Sequence, residues 1–305
     1  MIIEGQNIEI SNPAKVLFPE SGITKKQLID YYALAGPFIL PYLKDRPIAM
    51  QRYPDGITGH SFFQKEIPPY FPDFIERVAV TDHTGTKDYA MINNLPSLVY
   101  IANHASILLH PWQSRKTSLH NPDQVIWDLD PSVEGFGKIR TGAKLIRSFL
   151  EELGLSPWIK LTGSRGVHLA IPVVPAHDYE FIKDFSRGIA ELMAAKAPDI
   201  FTTEIRKNKR NGLIFLDYLR NGYGNTAVAP YSVRAIENAP VAAPITWKEL
   251  DDKKTGPQYY TIKKMKARFK SVGDVWEGFY DKPYNLNAAN AMLKKLMKKT
   301  KSLTG

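Results

Sequence analysis

Two aspartates one residue apart, Asp128 and Asp130, close an apolar run, Val125-Ile126-Trp127-Asp128-Leu129-Asp130-Pro131. The run reads as a short buried strand. Strand side chains alternate, so Ile126, Asp128 and Asp130 share one face and Val125, Trp127 and Leu129 the other. The two carboxylates then stand roughly 7 Å apart along the chain. Anions so placed repel, and burying them unpaired is costly. A divalent cation removes both problems, and hard oxygen ligands suit Mg²⁺ or Mn²⁺. Taken alone, Asp-x-Asp fits a strand end before an Asp-Pro turn equally well.

Other residues bear on the choice. Asp217 sits in the apolar run Leu213–Leu219, where a semi-buried carboxylate wants a cation or a salt bridge. Gly163-Ser164-Arg165-Gly166 joins two predicted strands, with His168 shortly after. Two glycines, a hydroxyl, a guanidinium and an imidazole offer many donors and little bulk, which suits a phosphate better than a plain hairpin. Arg234 closes a further predicted strand, 227–234. Carboxylates for two metals about 4 Å apart and donors for a triphosphate are what phosphoryl transfer requires. Lys15, Lys25 and Lys26 gather around a predicted helix start, where an anion would offset cations at the wrong end of the dipole; a solvated lysine pair is the alternative. Phe62 and Phe63 point opposite ways on a strand, so one of them could stack on a base, unless both rings pack in the core. His104 reads as structural, and His110 as a candidate contact.

The elements that must position these groups alternate between strands and helices. Thr24 with Gln27 forms a capping box that opens a helix with Leu28, Tyr31, Tyr32, Ala35 and Ile39 on one stripe. Strands are expected at 46–52, 61–65, 78–80 and 88–92, the last two as a hairpin around His83-Thr84-Gly85. A helix is expected over 95–109, a loop over 132–137, and a helix over 140–153 with Leu145 among its buried residues. Strands 158–162 and 167–173, a helix from Asp178 to about 197, and strands 200–206 and 213–219 around the basic turn Lys207–Gly212 complete the middle. Residues 239–244 read as a Pro/Ala connector, and a lysine-rich helix over 287–299 ends the pattern. Apolar residues make up 44% of the 305, enough for a proper core. A formal net charge of +9 favours a polyanionic partner, nucleic acid first. The absence of cysteine excludes disulfides and thiolate metal sites. No apolar run of membrane-spanning length and no signal peptide is evident, so a soluble, cytoplasmic protein is expected.

Asp128-Leu129-Asp130-Pro131, Thr162-Gly163-Ser164-Arg165-Gly166-Val167-His168 and Phe215-Leu216-Asp217-Tyr218 resemble the three motifs of archaeo-eukaryotic primase-polymerases. They resemble most closely the polymerase domain of bacterial DNA ligase D and its stand-alone relatives. Asn12–Pro19, Phe62–Lys65 and Thr226–Arg234 match as well, so the likeness runs from about residue 8 to 280. Thr162 stands where the family more often has serine and keeps the hydroxyl. The resemblance implies an α/β fold of two packed mixed or antiparallel sheets flanked by helices, with the active site in the cleft between them. It implies a single catalytic domain with a DNA-end-binding part at about 1–120, a catalytic core at about 121–240 and a basic extension at about 241–305. Asp128, Asp130 and Asp217 would hold two Mn²⁺ or Mg²⁺ ions. Ser164, Arg165, His168 and Arg234 would hold the triphosphate of an NTP or dNTP, with His110 near the sugar and a ribonucleotide preferred. Lys15, Lys25 or Lys26 would grip a 5′-phosphate, and Phe62 and Phe63 would stack on the template or duplex end. The expected activity is primer extension and gap filling at DNA ends in non-homologous end joining, by a nucleoid-associated monomer working with Ku and a DNA ligase. De novo priming, a metal-dependent nuclease and a non-catalytic DNA-end-binding module are the rivals. Three anions facing a polyanion speak against the last.

Overall fold

The computed structural model describes all residues except 83, 84, 134 and 305, so His83 and Thr84 of the expected hairpin turn and Glu134 of the expected loop lie outside the described residues. Contacts group the chain into two units: residues 1–119, 226–244 and 258–275 form the first, and residues 120–225, 245–257 and 276–305 the second. The stretch expected as a C-terminal extension, 241–305, is therefore shared between them. The architecture is α/β, with an antiparallel sheet in the first unit and a mixed one in the second.

The first unit begins with two small ribbons, β1 (Ile2–Ile3) with β2 (Gln6–Asn7) and β3 (Val16–Phe18) with β4 (Ile23–Thr24). Thr24 caps α1 (Lys25–Leu43) through the capping box with Gln27, and the predicted stripe from Leu28 to Ile39 is buried. Strands β5 (Ile48–Arg52), β6 (Phe62–Gln64), β7 (Arg77–Asp82) and β8 (Gly85–Ala90) run in the order β6-β5-β8-β7. The expected helix over 95–109 is shorter. It ends as α2 (Leu95–Asn103), Ala105 turns the chain at φ 53°, and residues 106–111 form β9 (Ser106–Pro111) against β5. Five of those six residues are buried, and an apolar run buried on both faces carries no period to tell strand from helix. The expected strand over 227–234 is instead an irregular segment tied down by isolated bridges, Trp112 with Thr226 and Val233 with Val241. Pro230 has no N–H for a ladder, and Tyr231 stands at φ 64°. The Pro/Ala connector is buried: Ala239, Val241, Ala242 and Ala243 are all inaccessible to solvent.

In the second unit the elements are β10 (Gln124–Pro131), α3 (Phe136–Glu152), β11 (Trp158–Leu161), β12 (Val167–Pro172), α4 (Tyr179–Lys196), β13 (Phe201–Thr202) and β14 (Ile214–Asp217). Five strands of its sheet run in the order β13-β14-β10-β12-β11. Helix α3 starts a turn earlier than expected, after Gly135 at φ 112°, and Leu145 is exposed rather than on the buried stripe. The strand expected over 200–206 is only β13, and that over 213–219 stops at Asp217, where Leu219–Asn221 makes one 3₁₀ turn. Trp127 is completely buried behind β10 and donates its indole N–H to Ser186 O on α4 at 3.2 Å, which backs the strand carrying the aspartates. Among the described residues no helix is long and apolar enough to cross a membrane.

Candidate active site

Strand β10 lies between β12 and β14, and Asp128 and Leu129 pair on both sides. The register pairs Asp128 with His168 on β12 and with Asp217 on β14, and it pairs His168 with Lys160 on β11. Directly paired residues project to the same face. Lys160, His168, Asp128 and Asp217 thus form one row across four strands. Lys160 and His168 are buried, and Asp217 is 8% exposed. His168 Nε2 lies 3.4 Å from Asp128 Oδ2.

Arg220 completes this row, and sequence reasoning overlooked it. Its Nη2 lies 3.5 Å from Asp128 Oδ2 and its Nε 3.4 Å from Asp217 Oδ2. Asn221 explains how it arrives there. The Asn221 amide donates to Ile126 O at 2.7 Å and accepts from Ile126 N at 2.9 Å, stitching the 3₁₀ turn to β10. The Asp217 carboxylate fixes the start of the same turn by accepting from Leu219 N at 2.7 Å.

The electrostatics follow from burial and neighbours. Burial pushes the Asp217 carboxyl up to about 6, and the charge of Asp128 adds to the push against Arg220's opposition. For Asp128 burial acts the same way, but His168, Arg220 and Lys160 outweigh it and hold its carboxyl well below the usual range. Burial and then Lys160 lower His168 to about 4, so its imidazole is neutral near pH 7. Its Nδ1 has no hydrogen-bond partner among the described residues.

Asp130 is placed differently. It accepts from Arg165 Nη2 at 2.8 Å and from Arg210 Nη1 at 2.9 Å. Arg210 is buried, anchored by Glu204 O and Ile205 O and stacked over Phe215. Among the described residues no three carboxylates or imidazoles converge into a ready metal cage. The donor chemistry nonetheless fits a hard cation. Asp128 and Asp217 are paired across adjacent strands, and Arg220 reaches both at distances too long for good hydrogen bonds. A carboxylate satisfied by two arginines still has lone pairs to share.

The turn between β11 and β12 is locked by Thr162. Its hydroxyl donates to Gly166 O at 3.0 Å and accepts from Ser164 N at 3.3 Å and Gly166 N at 3.2 Å. Gly163 takes φ 67°. Gly166 has no room for a side chain, because a Cβ there would lie 1.9 Å from Leu129 O. That glycine therefore serves the fit of the turn against β10. Ser164 and Arg165 line a pocket of about 450 Å³ with Pro131, Ser132, Phe136 and Lys207.

The remaining expected residues belong to the first unit. His110 lies on β9 opposite Ala49, its ring edge-on to Phe63 at 5.7 Å. Phe62 and Phe63 are 38% and 54% exposed, so neither ring is core; Phe62 lies near the Arg52 guanidinium, 5.5 Å from ring centre to Cζ. Arg234 is half-buried, its backbone N–H donating to Pro240 O at 2.7 Å. Lys15 pairs with Asp55 at 2.9 Å and Lys26 with Asp30 at 2.5 Å. Lys25 is buried and donates to Ser11 Oγ and Asn103 O; burial and then the charge of Lys15 lower its pKa. His104 is structural as expected, its Nδ1 3.0 Å from Tyr100 O and its ring among Phe71 and Tyr100.

The fold is that of the archaeo-eukaryotic primases. It superimposes with a TM-score of 0.84 and 28% identity on the polymerase domain from Mycobacterium tuberculosis ligase D in complex with DNA, covering 92% of this chain and all of that one. The chain belongs to the family of the LigD primase-polymerase domain, whose family model matches residues 24–276. It is 32% identical over 296 residues to the bifunctional non-homologous end joining protein LigD of Bacillus subtilis (strain 168), which spans 96% of this chain and 47% of that protein. It is 31% identical over 253 residues to the multifunctional LigD of Mycolicibacterium smegmatis, 81% of this chain and 33% of that protein. The chain thus spans about half the length of the first relative and a third of the second.

Proposed function

We propose that this chain is a metal-dependent nucleotidyltransferase that extends primers and fills gaps at DNA ends during non-homologous end joining. The observation that carries the reading is the pairing of Asp128 with Asp217 across adjacent strands, the second carboxyl raised by burial and by the charge of the first, in the same sheet as the donor-rich turn. Asp128, Asp217 and, as its arginines share it, Asp130 would hold two Mn²⁺ or Mg²⁺ ions. When bound, these supply activation of the primer 3′-hydroxyl and charge neutralisation at the leaving pyrophosphate.

The chain's own groups do the rest. Ser164 and Arg165 offer a hydroxyl and a guanidinium to the triphosphate from a turn that Thr162 holds rigid. His168, whose buried Nδ1 has no hydrogen-bond partner among the described residues, would join them. Arg220, held beside both carboxylates, can turn its charge to the phosphates once a cation takes over there. Arg234 would join the triphosphate and His110 the sugar, with a ribonucleotide preferred. Lys15 and Lys26 are engaged only in surface ion pairs, which contribute about 1 kcal/mol or less and yield easily to a 5′-phosphate. Such an anion would also relieve the repulsion that depresses Lys25. Phe62 and Phe63 present open ring area to a template base. A cytoplasmic, nucleoid-associated monomer working with Ku and a DNA ligase completes the reading. The test is primer extension on a gapped, 5′-phosphorylated duplex, with ribo- against deoxynucleotides and Mn²⁺ against Mg²⁺. Asp128→Ala with Asp130→Ala abolishes extension and keeps DNA binding; normal extension by the double variant refutes the mechanism.

A further inference from the structure

The helix Ile262–Val272 carries four lysines and one arginine and no acidic residue. Its inner face is firmly seated. Ile262, Met265, Arg268 and Phe269 are buried, Phe269 stacks on Phe38 at 4.0 Å with rings 4° apart, and Arg268 donates to Pro244 O at 2.8 Å. Lys264 is occupied locally, donating to Tyr259 O at 3.0 Å with its ammonium over the Tyr259 ring. Lys263, Lys266 and Lys270 are all exposed, and none has an ion-pair or hydrogen-bond partner among the described residues. At 100° per residue the three fall within about 60° of one another, along about 10 Å of axis.

This stripe has no internal rationale. Lysines three and four apart repel, and Lys263 lies in the first turn, where the helix dipole also disfavours a cation. Several basic side chains on other helices are compensated: Arg147 by Glu151, Arg187 by Asp184 and Glu191, Lys144 by Asp251. The last helix, Asn287–Thr304, carries lysines at 294, 295, 298, 299 and 301, from its middle to its C-terminal turn, and none in its first turn. DNA presents one phosphate per about 3.4 Å of axis on each strand, so a 10 Å stripe faces about three.

We propose that Lys263, Lys266 and Lys270 form a docking face for the phosphate backbone of duplex DNA, separate from the residues assigned to the chemistry and to the DNA end. The proposal rests on the chain being a DNA-end polymerase, and its test separates the two. Binding of a gapped duplex is measured from 50 to 200 mM salt for three proteins: the wild type, K263Q/K266Q/K270Q, and a control, K294Q/K295Q/K298Q. Each phosphate contact contributes about 0.9 to the slope of log affinity against log salt. Losing three lowers the slope by about 2.7, so across this fourfold salt range the wild type loses about 40-fold more affinity than the first variant. The control keeps the wild-type slope. The first variant also melts no lower than the wild type, since glutamine is a good helix former and repulsion has been removed. An unchanged slope in the first variant, or an equal drop in the control, overturns the docking face. Failure of the wild type itself to bind DNA overturns the proposed function instead.

Discussion

Replacing Asp217 with asparagine should make the protein more stable and inactive. In the metal-free fold the Asp217 carboxyl is held at about 6, against about 3.9 in an unfolded chain. The native state therefore binds this proton more tightly than the unfolded state. This carboxyl's contribution to stability is fullest below pH 4, falls as pH rises from about 4 to 6, and is lost above. The difference corresponds to about 3 kcal/mol at pH 8. Asparagine removes the charge and keeps the oxygen that accepts from Leu219 N. The Arg220 pair that is lost with the charge is already counted in that value, because the arginine lowers the carboxyl's pKa. The net gain at pH 8 is about 3 kcal/mol, a rise in Tm of about 5 °C for a chain of this size. Thermal melts in EDTA between pH 4 and 8 should show a gain that is small at pH 4 and nearly complete by pH 7. Adding Mn²⁺ should raise the melting point of the wild type and leave the variant unmoved. A variant that melts lower than the wild type at pH 8, or by the same margin at every pH, refutes the reasoning.

Two further substitutions probe the supports. Gly166→Ala forces a Cβ into Leu129 O, so chemical denaturation should show a loss of about 3 kcal/mol or more, with extension falling in proportion to the folded fraction or further. Phe63→Ala removes a ring that is 54% exposed; the melting point should move by less than about 1 °C, while affinity for a duplex with a single-stranded template falls about 5- to 100-fold by fluorescence anisotropy.

The acidic strand was legible because carboxylates in an apolar run are conspicuous and the strand period assigns their face. The donor turn was legible because glycine, serine and arginine cluster there. Lys160 and Arg220 were not. Lys160 joins the row only through the pairing of β11 with β12, a register set by tertiary contacts. Arg220 looked like an ordinary residue after a strand until Asn221 tied its turn to Ile126. Ser106–Pro111 was misread because a segment buried all round shows no alternation of apolar and polar residues. The roles expected of Lys15 and Lys26 hang on long side chains that settle on whichever carboxylate is near, a choice local sequence does not encode.

The interleaving of the two units bears on how the protein is made. The first unit draws on residues 226–244 and 258–275 as well as on 1–119. A ribosome adding roughly 5 to 20 residues per second must therefore run on for roughly 10 to 30 s after residue 119 before that unit has all its parts. Over that interval Leu28, Tyr32, Ile39 and Leu109, all buried at the end, await the segments that complete their unit. Nascent chains of this protein should thus lean on holdase chaperones longer than a domain built from one continuous stretch would.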